Sequence, residues 1–188
     1  MKLGVFGGSF DPVHLGHKNL VVECKKRLNL DKVLVIPAAC SPFKEDRPPI
    51  ASPEQRLEML KMTFEDLEGV EVSDIEIKRG GLSFTVDTIR DLANQYSNDQ
   101  LFLLMADSTY ERFQEWKSSE EIQTLSHLVF VSSKKEENQM DKNVTSIEIP
   151  WIQISSTIIR RKLKRGDTCK KYLSSKVLDF ISTNGLYS

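Results

Sequence analysis

Hydrophobic positions along the chain alternate between two periods. Nearly continuous apolar runs occupy residues 2–6 (KLGVF), 32–38 (KVLVIPA), 70–77 (VEVSDIEI), 100–106 (QLFLLMA) and 127–133 (HLVFVSS), with a briefer one at 145–150 (TSIEIP). Short runs of this kind suit strands of a parallel sheet covered on both faces. Between them the apolar spacing is helical. Leu20, Val21, Cys24 and Leu28 recur within residues 17–28, and residues 52–67 open with Ser52 as a cap and Pro53 at the first helical position. Residues 85–96 follow the third strand, and residues 108–125 follow the fourth as one broken or two short helices. Residues 134–143 (KKEENQMDKN) are polar and read as a mobile surface loop, and residues 155–187 read as helices only.

Strand then helix, repeated, predicts right-handed βαβ units. The expected fold is α/β, a Rossmann-like doubly wound parallel sheet forming a single domain over 1–188, with a helical C-terminal part from about 155. Such sheets bind ligands beyond the carboxyl ends of their strands, near the switch point. That rule directs attention to residues 7–17, 37–52, 79–86 and 106–116.

Composition narrows the classes of partner. With 26 Lys and Arg against 27 Asp and Glu, the formal net charge is −1. The protein offers nucleic acid no basic field, so an anion site must be local. Cys24, Cys40 and Cys169 are far apart and form no CxxC pair, which predicts reduced thiols in a cytoplasmic protein rather than a disulfide framework or a zinc site. The first ten residues carry no apolar signal core, and no apolar run is long enough to span a bilayer, so no membrane association is expected.

The chemistry concentrates in residues 7–17, GGSFDPVHLGH, directly behind the first strand. His14 and His17 at i, i+3 suggest zinc, proton transfer or phosphate binding. Zinc needs a third ligand, and the remaining histidine, His127, begins a distant strand. Imidazoles at a helix start sit at the positive end of its dipole, which disfavours protonation, whereas a bound polyphosphate favours it. Phosphate fits best: Gly7 and Gly8 allow close backbone approach, and a helix beginning near Gly16 points free N–H groups at the same place. A tight strand–helix turn with incidental surface histidines is the bland alternative. A second anion-binding start lies at 154–166, ISSTIIRRKLKRG, where Ser155, Ser156 and Thr157 cluster at a helix N-terminus and Arg160 follows one turn later. Arg161, Lys162, Lys164 and Arg165 read as a solvated basic helix.

The two segments together resemble the HxGH/ISSTxIR nucleotidyltransferase superfamily. More closely, the chain is similar to the bacterial nicotinate-nucleotide adenylyltransferases, through residues 33–44, 52–60, 80–92, 103–116, 154–160 and 177–187. The resemblance implies that ATP and nicotinate mononucleotide are the substrates, yielding deamido-NAD and pyrophosphate, with Mg²⁺ arriving on the ATP phosphates and no protein metal site. It implies that Gly7, Gly8, Ser9, Phe10, His14 and His17 contact ATP, and that Ser155, Ser156, Thr157 and Arg160 hold its β- and γ-phosphates. Asp107 would face the ribose. Lys44, Thr85 and Trp116 would serve the pyridine nucleotide, with Lys44, His14, His17 and Arg160 the catalytic set. A homo-oligomer is compatible with this reading. Thr85, Trp116 and Asp107 have structural alternatives, Trp116 as core at helical spacing and Asp107 as a helix cap, and Arg56 is explained equally well as a solvated helix arginine.

Four positions depart from the family pattern: Phe43 stands in place of a histidine, Phe84 in place of a tyrosine, Met105 in place of a glycine, and Lys117 in place of an aromatic residue. They touch the acceptor side more than the ATP side. Adenylylation of nicotinamide mononucleotide or of phosphopantetheine, and a catalytically silent nucleotide-binding module, remain the competing readings.

Overall fold

The structure is a computed structural model that describes residues 1–44, 46–132, 143–149 and 154–188, with only the backbone of Lys44, Asp107 and Ser108. Six parallel strands, β1 (Lys2–Gly8), β2 (Lys32–Pro37), β3 (Val70–Val72), β4 (Gln100–Ala106), β5 (His127–Ser132) and β6 (Val144–Glu148), form one sheet in the order β3-β2-β1-β4-β5-β6. The order reverses between β1 and β4, which places the switch point at the carboxyl ends of those two strands.

Period-two alternation sends successive side chains to opposite faces. Val33 and Val35 of β2 join Phe6 of β1 on one face, while Leu34 and Ile36 join Leu3 and Val5 on the other. Helices α1 (Leu15–Leu28) and α2 (Pro53–Phe64) cover the first face with α7 (Ser156–Leu163) and α8 (Ser175–Thr183). The second is covered by α4 (Thr85–Gln95) and α6 (Ser119–Leu125). Both faces are therefore dry, which is why the strands read as unbroken apolar runs.

Ser52 caps α2 as expected. Its hydroxyl accepts from Gln55 N at 3.2 Å, and the Gln55 side chain accepts from Ser52 N at 2.9 Å. The 108–125 region is broken into α5 (Asp107–Tyr110), a 3₁₀ turn (Phe113–Glu115) and α6.

One element differs from its sequence reading. The third strand stops at Val72, and residues 75–77 of the expected strand belong instead to a short helix, α3 (Ile75–Arg79). β3 is an edge strand whose ladder with β2 ends at Val35↔Val72. Beyond it, Glu76 turns inward and accepts a hydrogen bond from Thr88 Oγ1 at 2.6 Å. The helical turn is what sets that side chain against Thr88 of α4 here. The polar loop expected at 134–143 lies outside the described residues apart from Asn143.

Candidate active site

β1 ends at Gly8, and the chain crosses residues 9–13 before α1 begins behind His14, its extended N-cap residue (φ −146°). The His14 and His17 rings stack with centroids 3.6 Å apart and planes 20° from parallel. His14 N donates to His17 Nδ1 at 3.2 Å, which leaves Nε2 to carry the proton of a neutral His17 ring. The glycine between them has a steric purpose: a Cβ at Gly16 would lie 3.0 Å from His14 Nδ1. His14 is buried, and desolvation pushes its pKa down to about 4, so the ring is neutral near pH 7. Its Nδ1 is buried without a hydrogen-bond partner among the described residues.

Gly8 also acquires a packing role. Phe10, in the left-handed region at φ 48°, folds its buried ring back so that a Gly8 Cβ would sit 3.0 Å from it. The Phe10 ring meets His17 edge-on at 5.0 Å. Gly7 has open space around it, the nearest atom to an added Cβ being Ile36 O at 4.0 Å.

The second anchor is tied directly to the first. Ser156 Oγ donates to Pro12 O at 2.9 Å, and Arg160 Nη1 donates to Asp11 O at 2.6 Å. Arg160 Nη2 also reaches Thr157 Oγ1 at 3.3 Å, while Ser155 caps α7 by accepting from Ile158 N at 3.3 Å. The Ser155 and Ser156 hydroxyls are thus spent on capping and fastening. What α7 presents to an anion is its first-turn N–H groups, the exposed Thr157 and the remaining donors of a partly exposed guanidinium.

Two residues hold this assembly: Asp11, which the sequence did not single out, and Arg56, which it left open between site and surface. The Asp11 carboxylate, 4% exposed, accepts from Ile50 N at 2.9 Å, Ala51 N at 3.0 Å and the Tyr187 hydroxyl at 2.7 Å, and lies 3.6 Å from Arg160 Nη1. Of the two readings that Arg56 allowed, the solvated one does not hold. The residue is 1% exposed and donates to Ser9 O at 2.8 Å, Ala39 O at 3.2 Å and Ala51 O at 3.3 Å. Burial lowers its pKa, and the nearby Asp11 charge opposes that shift. The signal was present: Arg56 lies one turn before Met59 and Leu60 and two before Thr63, on the buried stripe of α2.

The expected acceptor residues lie beyond β1 and β4 on the other face. Thr85 opens α4 behind Phe84, and Trp116 follows the 3₁₀ turn with its ring 5.6 Å from Phe113. Their chain neighbours meet, since Lys117 Nζ lies 4.3 Å from the Phe84 ring centroid. The loop after β2 is stitched to this wall: Ala39 N donates to Ser83 Oγ at 2.9 Å and Ser83 N to Cys40 O at 2.8 Å. Phe43 is 45% exposed and carries Arg112 over its ring at 4.9 Å. Met105 is buried opposite Phe130 in the β4–β5 register and packs in the second core. Lys44 ends the Pro42–Lys44 3₁₀ turn and Asp107 opens α5 at the end of β4, and their side chains lie outside the described residues. His127 pairs with Thr145 Oγ1 at 2.7 Å at the amino end of β5, away from the other two histidines.

Two helix N-termini, stacked imidazoles and an arginine, gathered at the switch point of a 3-2-1-4-5-6 sheet, describe a protein that handles nucleotide phosphates. The chain belongs to the cytidylyltransferase-like family, whose model matches residues 5–162, and within it to the nicotinate-nucleotide adenylyltransferases. It is 35% identical to the probable nicotinate-nucleotide adenylyltransferase of Dictyoglomus thermophilum and 36% identical to that of Thermus thermophilus, each alignment covering 100% of both chains. Its fold is shared by Plasmodium falciparum nicotinic acid mononucleotide adenylyltransferase solved with NaAD, at a TM-score of 0.82 and 17% identity over 99% of this chain and 97% of that one. Among the described residues no helix is long and apolar enough to cross a membrane.

Proposed function

We propose that the protein transfers the adenylyl group of ATP to nicotinate mononucleotide, forming deamido-NAD and releasing pyrophosphate. A phosphate oxygen of the mononucleotide attacks the α-phosphorus, and the bond from that phosphorus to the bridging oxygen of the leaving pyrophosphate breaks. The nucleophile is a phosphate monoester with a second pKa of about 6, already largely dianionic at neutral pH, so no general base is required. The protein's task is to align two polyanions and absorb charge on the leaving group.

The observation that carries this reading is the fastening of the histidine loop to α7 through Ser156–Pro12 and Arg160–Asp11, which makes one continuous oxyanion cradle. In it His17, protonated on Nε2, and neutral His14 act as hydrogen-bonding groups for the transferring phosphate. Arg160, the Thr157 hydroxyl and the first-turn N–H groups of α7 take the β- and γ-phosphates, with Ser155 and Ser156 holding that turn in place through their cap and their bond to Pro12. Gly7, Gly8, Ser9 and Phe10 line the nucleotide, Asp107 faces its ribose, and Lys44, Thr85 and Trp116 serve the pyridine nucleotide. Imidazole, guanidinium, hydroxyl and amide donors suit oxyanions, not a hard divalent cation, which fits Mg²⁺ entering as part of MgATP. The contacts joining Asp11 to Arg160 and Tyr187 support one nucleotidyltransferase domain across the chain. Three free thiols support a cytoplasmic setting.

Pyrophosphate release measured with nicotinate mononucleotide, nicotinamide mononucleotide and phosphopantetheine tests the assignment. The acid mononucleotide is expected to be preferred. Turnover with only the amide or the pantetheine substrate overturns the acceptor, and ATP binding without release under any acceptor identifies a silent binding module.

A further inference from the structure

Tyr187 is separated from the histidine loop by almost the whole chain, yet its hydroxyl donates to Asp11 Oδ1 at 2.7 Å. The ring is buried, and the backbone sits at φ 64°, a region that non-glycine residues seldom occupy. The phenol is the only side-chain hydroxyl that reaches this carboxylate among the described residues. The main-chain carbonyl of Asp11 accepts from Arg160, and that of Pro12 accepts from Ser156 of α7. Asp11 therefore stands between Tyr187 on one side and both halves of the phosphate cradle on the other.

We propose that Tyr187 is a positioning residue for the ATP side of the site, acting through Asp11 to set Arg160 and the first turn of α7 against the histidine loop. A buried carboxylate keeps its charge only while donors surround it. Ile50 N and Ala51 N draw Asp11 toward the 48–51 loop, and Arg160 draws it toward α7. The Tyr187 hydroxyl shares Oδ1 with Ala51 N and fixes the carboxylate between those pulls. Burial and the neighbouring Asp11 charge raise the phenol's pKa, so it remains a donor across the working pH range. Without it the carboxylate reorients, and because the Asp11 carbonyl carries Arg160, the guanidinium moves with it. Among the described residues the acceptor wall around Thr85 and Trp116 makes no such contact with Asp11, so its geometry is spared.

The inference rests on reading this cradle as the ATP site, and the test separates the two claims by measuring ATP binding apart from turnover. Tyr187→Phe preserves ring volume and removes only the hydroxyl. Calorimetric ATP affinity is expected to weaken about tenfold, as for loss of one hydrogen bond to a charged group. The KM for nicotinate mononucleotide, from pyrophosphate release, should stay within about twofold, and the circular dichroism spectrum should be unchanged. Asp11→Asn is expected to weaken ATP binding at least as much, and the double variant no further than Asp11→Asn alone, because the tyrosine acts through the aspartate. Wild-type ATP affinity in Tyr187→Phe, equal losses for both substrates, or multiplying losses in the double variant would overturn the proposal. Wild-type protein that binds ATP without releasing pyrophosphate would sink the adenylyltransferase reading and leave this one standing.

Discussion

The two ends of the candidate site are built from different materials. Around His14 the side chains that organise the backbone are buried and charged: Asp11 is 4% exposed and Arg56 1%, and their polar atoms meet main-chain carbonyls or amides. Around Thr85 and Trp116 the neighbours are aromatic faces and surface ions, such as Lys117 over Phe84, Arg112 over Phe43, and Arg112 with Glu115. The difference fits the proposed function. Donors set in advance suit charge developing on phosphate oxygens, because they cost no reorganisation during reaction, and aromatic faces suit a flat pyridine ring. It follows that errors at the ATP end should be large and structural, and errors at the acceptor end small.

Breaking the buried end gives the largest effect. Arg56→Met strands the carbonyls of Ser9, Ala39 and Ala51 and removes the charge beside Asp11, so unfolding free energy should drop by about 3–5 kcal/mol. Urea denaturation will read it, and a loss under 1 kcal/mol would mean the arginine does not hold the loops.

His14 tests the same end through pH. Its folded pKa of about 4 lies below the ordinary 6.5, so the unfolded chain binds a proton more readily between those values. The contribution is complete above pH 6.5 and is lost as pH falls through 6.5 toward 4, by up to about 3 kcal/mol. Unliganded wild type should therefore lose stability relative to His14→Asn over that window. Parallel curves for the two proteins would show that the ring is not buried neutral.

His17→Ala removes the ring stacked on His14 and the acceptor of the His14 amide, so a modest drop in the unfolding midpoint is expected. Turnover should fall by at least about a hundredfold, or ~2.7 kcal/mol of transition-state stabilisation, when assayed well below that midpoint. An unaffected rate would remove His17 from the mechanism. The smallest effect belongs to the acceptor wall: Lys117→Ala gives up a half-exposed cation over Phe84, worth about 0.5–1 kcal/mol, and should leave ATP affinity unchanged. A collapse of ATP binding in that variant would erase the distinction between the ends.

How far the sequence reveals each end follows from the same difference. Strands β1, β2, β4 and β5 are legible because both of their faces are covered. The stretch SDIEI is misleading, since its alternation imitates a strand while its glutamate is destined for a buried contact with Thr88. His14, His17 and Arg160 stand out as residue types in a recognisable pattern. The bonds that join them do not, because the acceptors are the carbonyls of Asp11 and Pro12, and a carbonyl has no letter of its own. Asp11 before Pro12 reads as a turn. Arg56 is legible only when its place on the apolar stripe of α2 is weighed above its charge.

The contacts that close the cradle span 144, 149 and 176 residues of chain. On a ribosome adding roughly 5–20 residues per second, the histidine loop waits several seconds or more for its counterpart. During that interval the nascent polypeptide has a half-built phosphate site that lacks Arg160, α7 and the Tyr187 hydroxyl. On the proposed function, tight nucleotide binding therefore has to wait for the last part of the chain to be made.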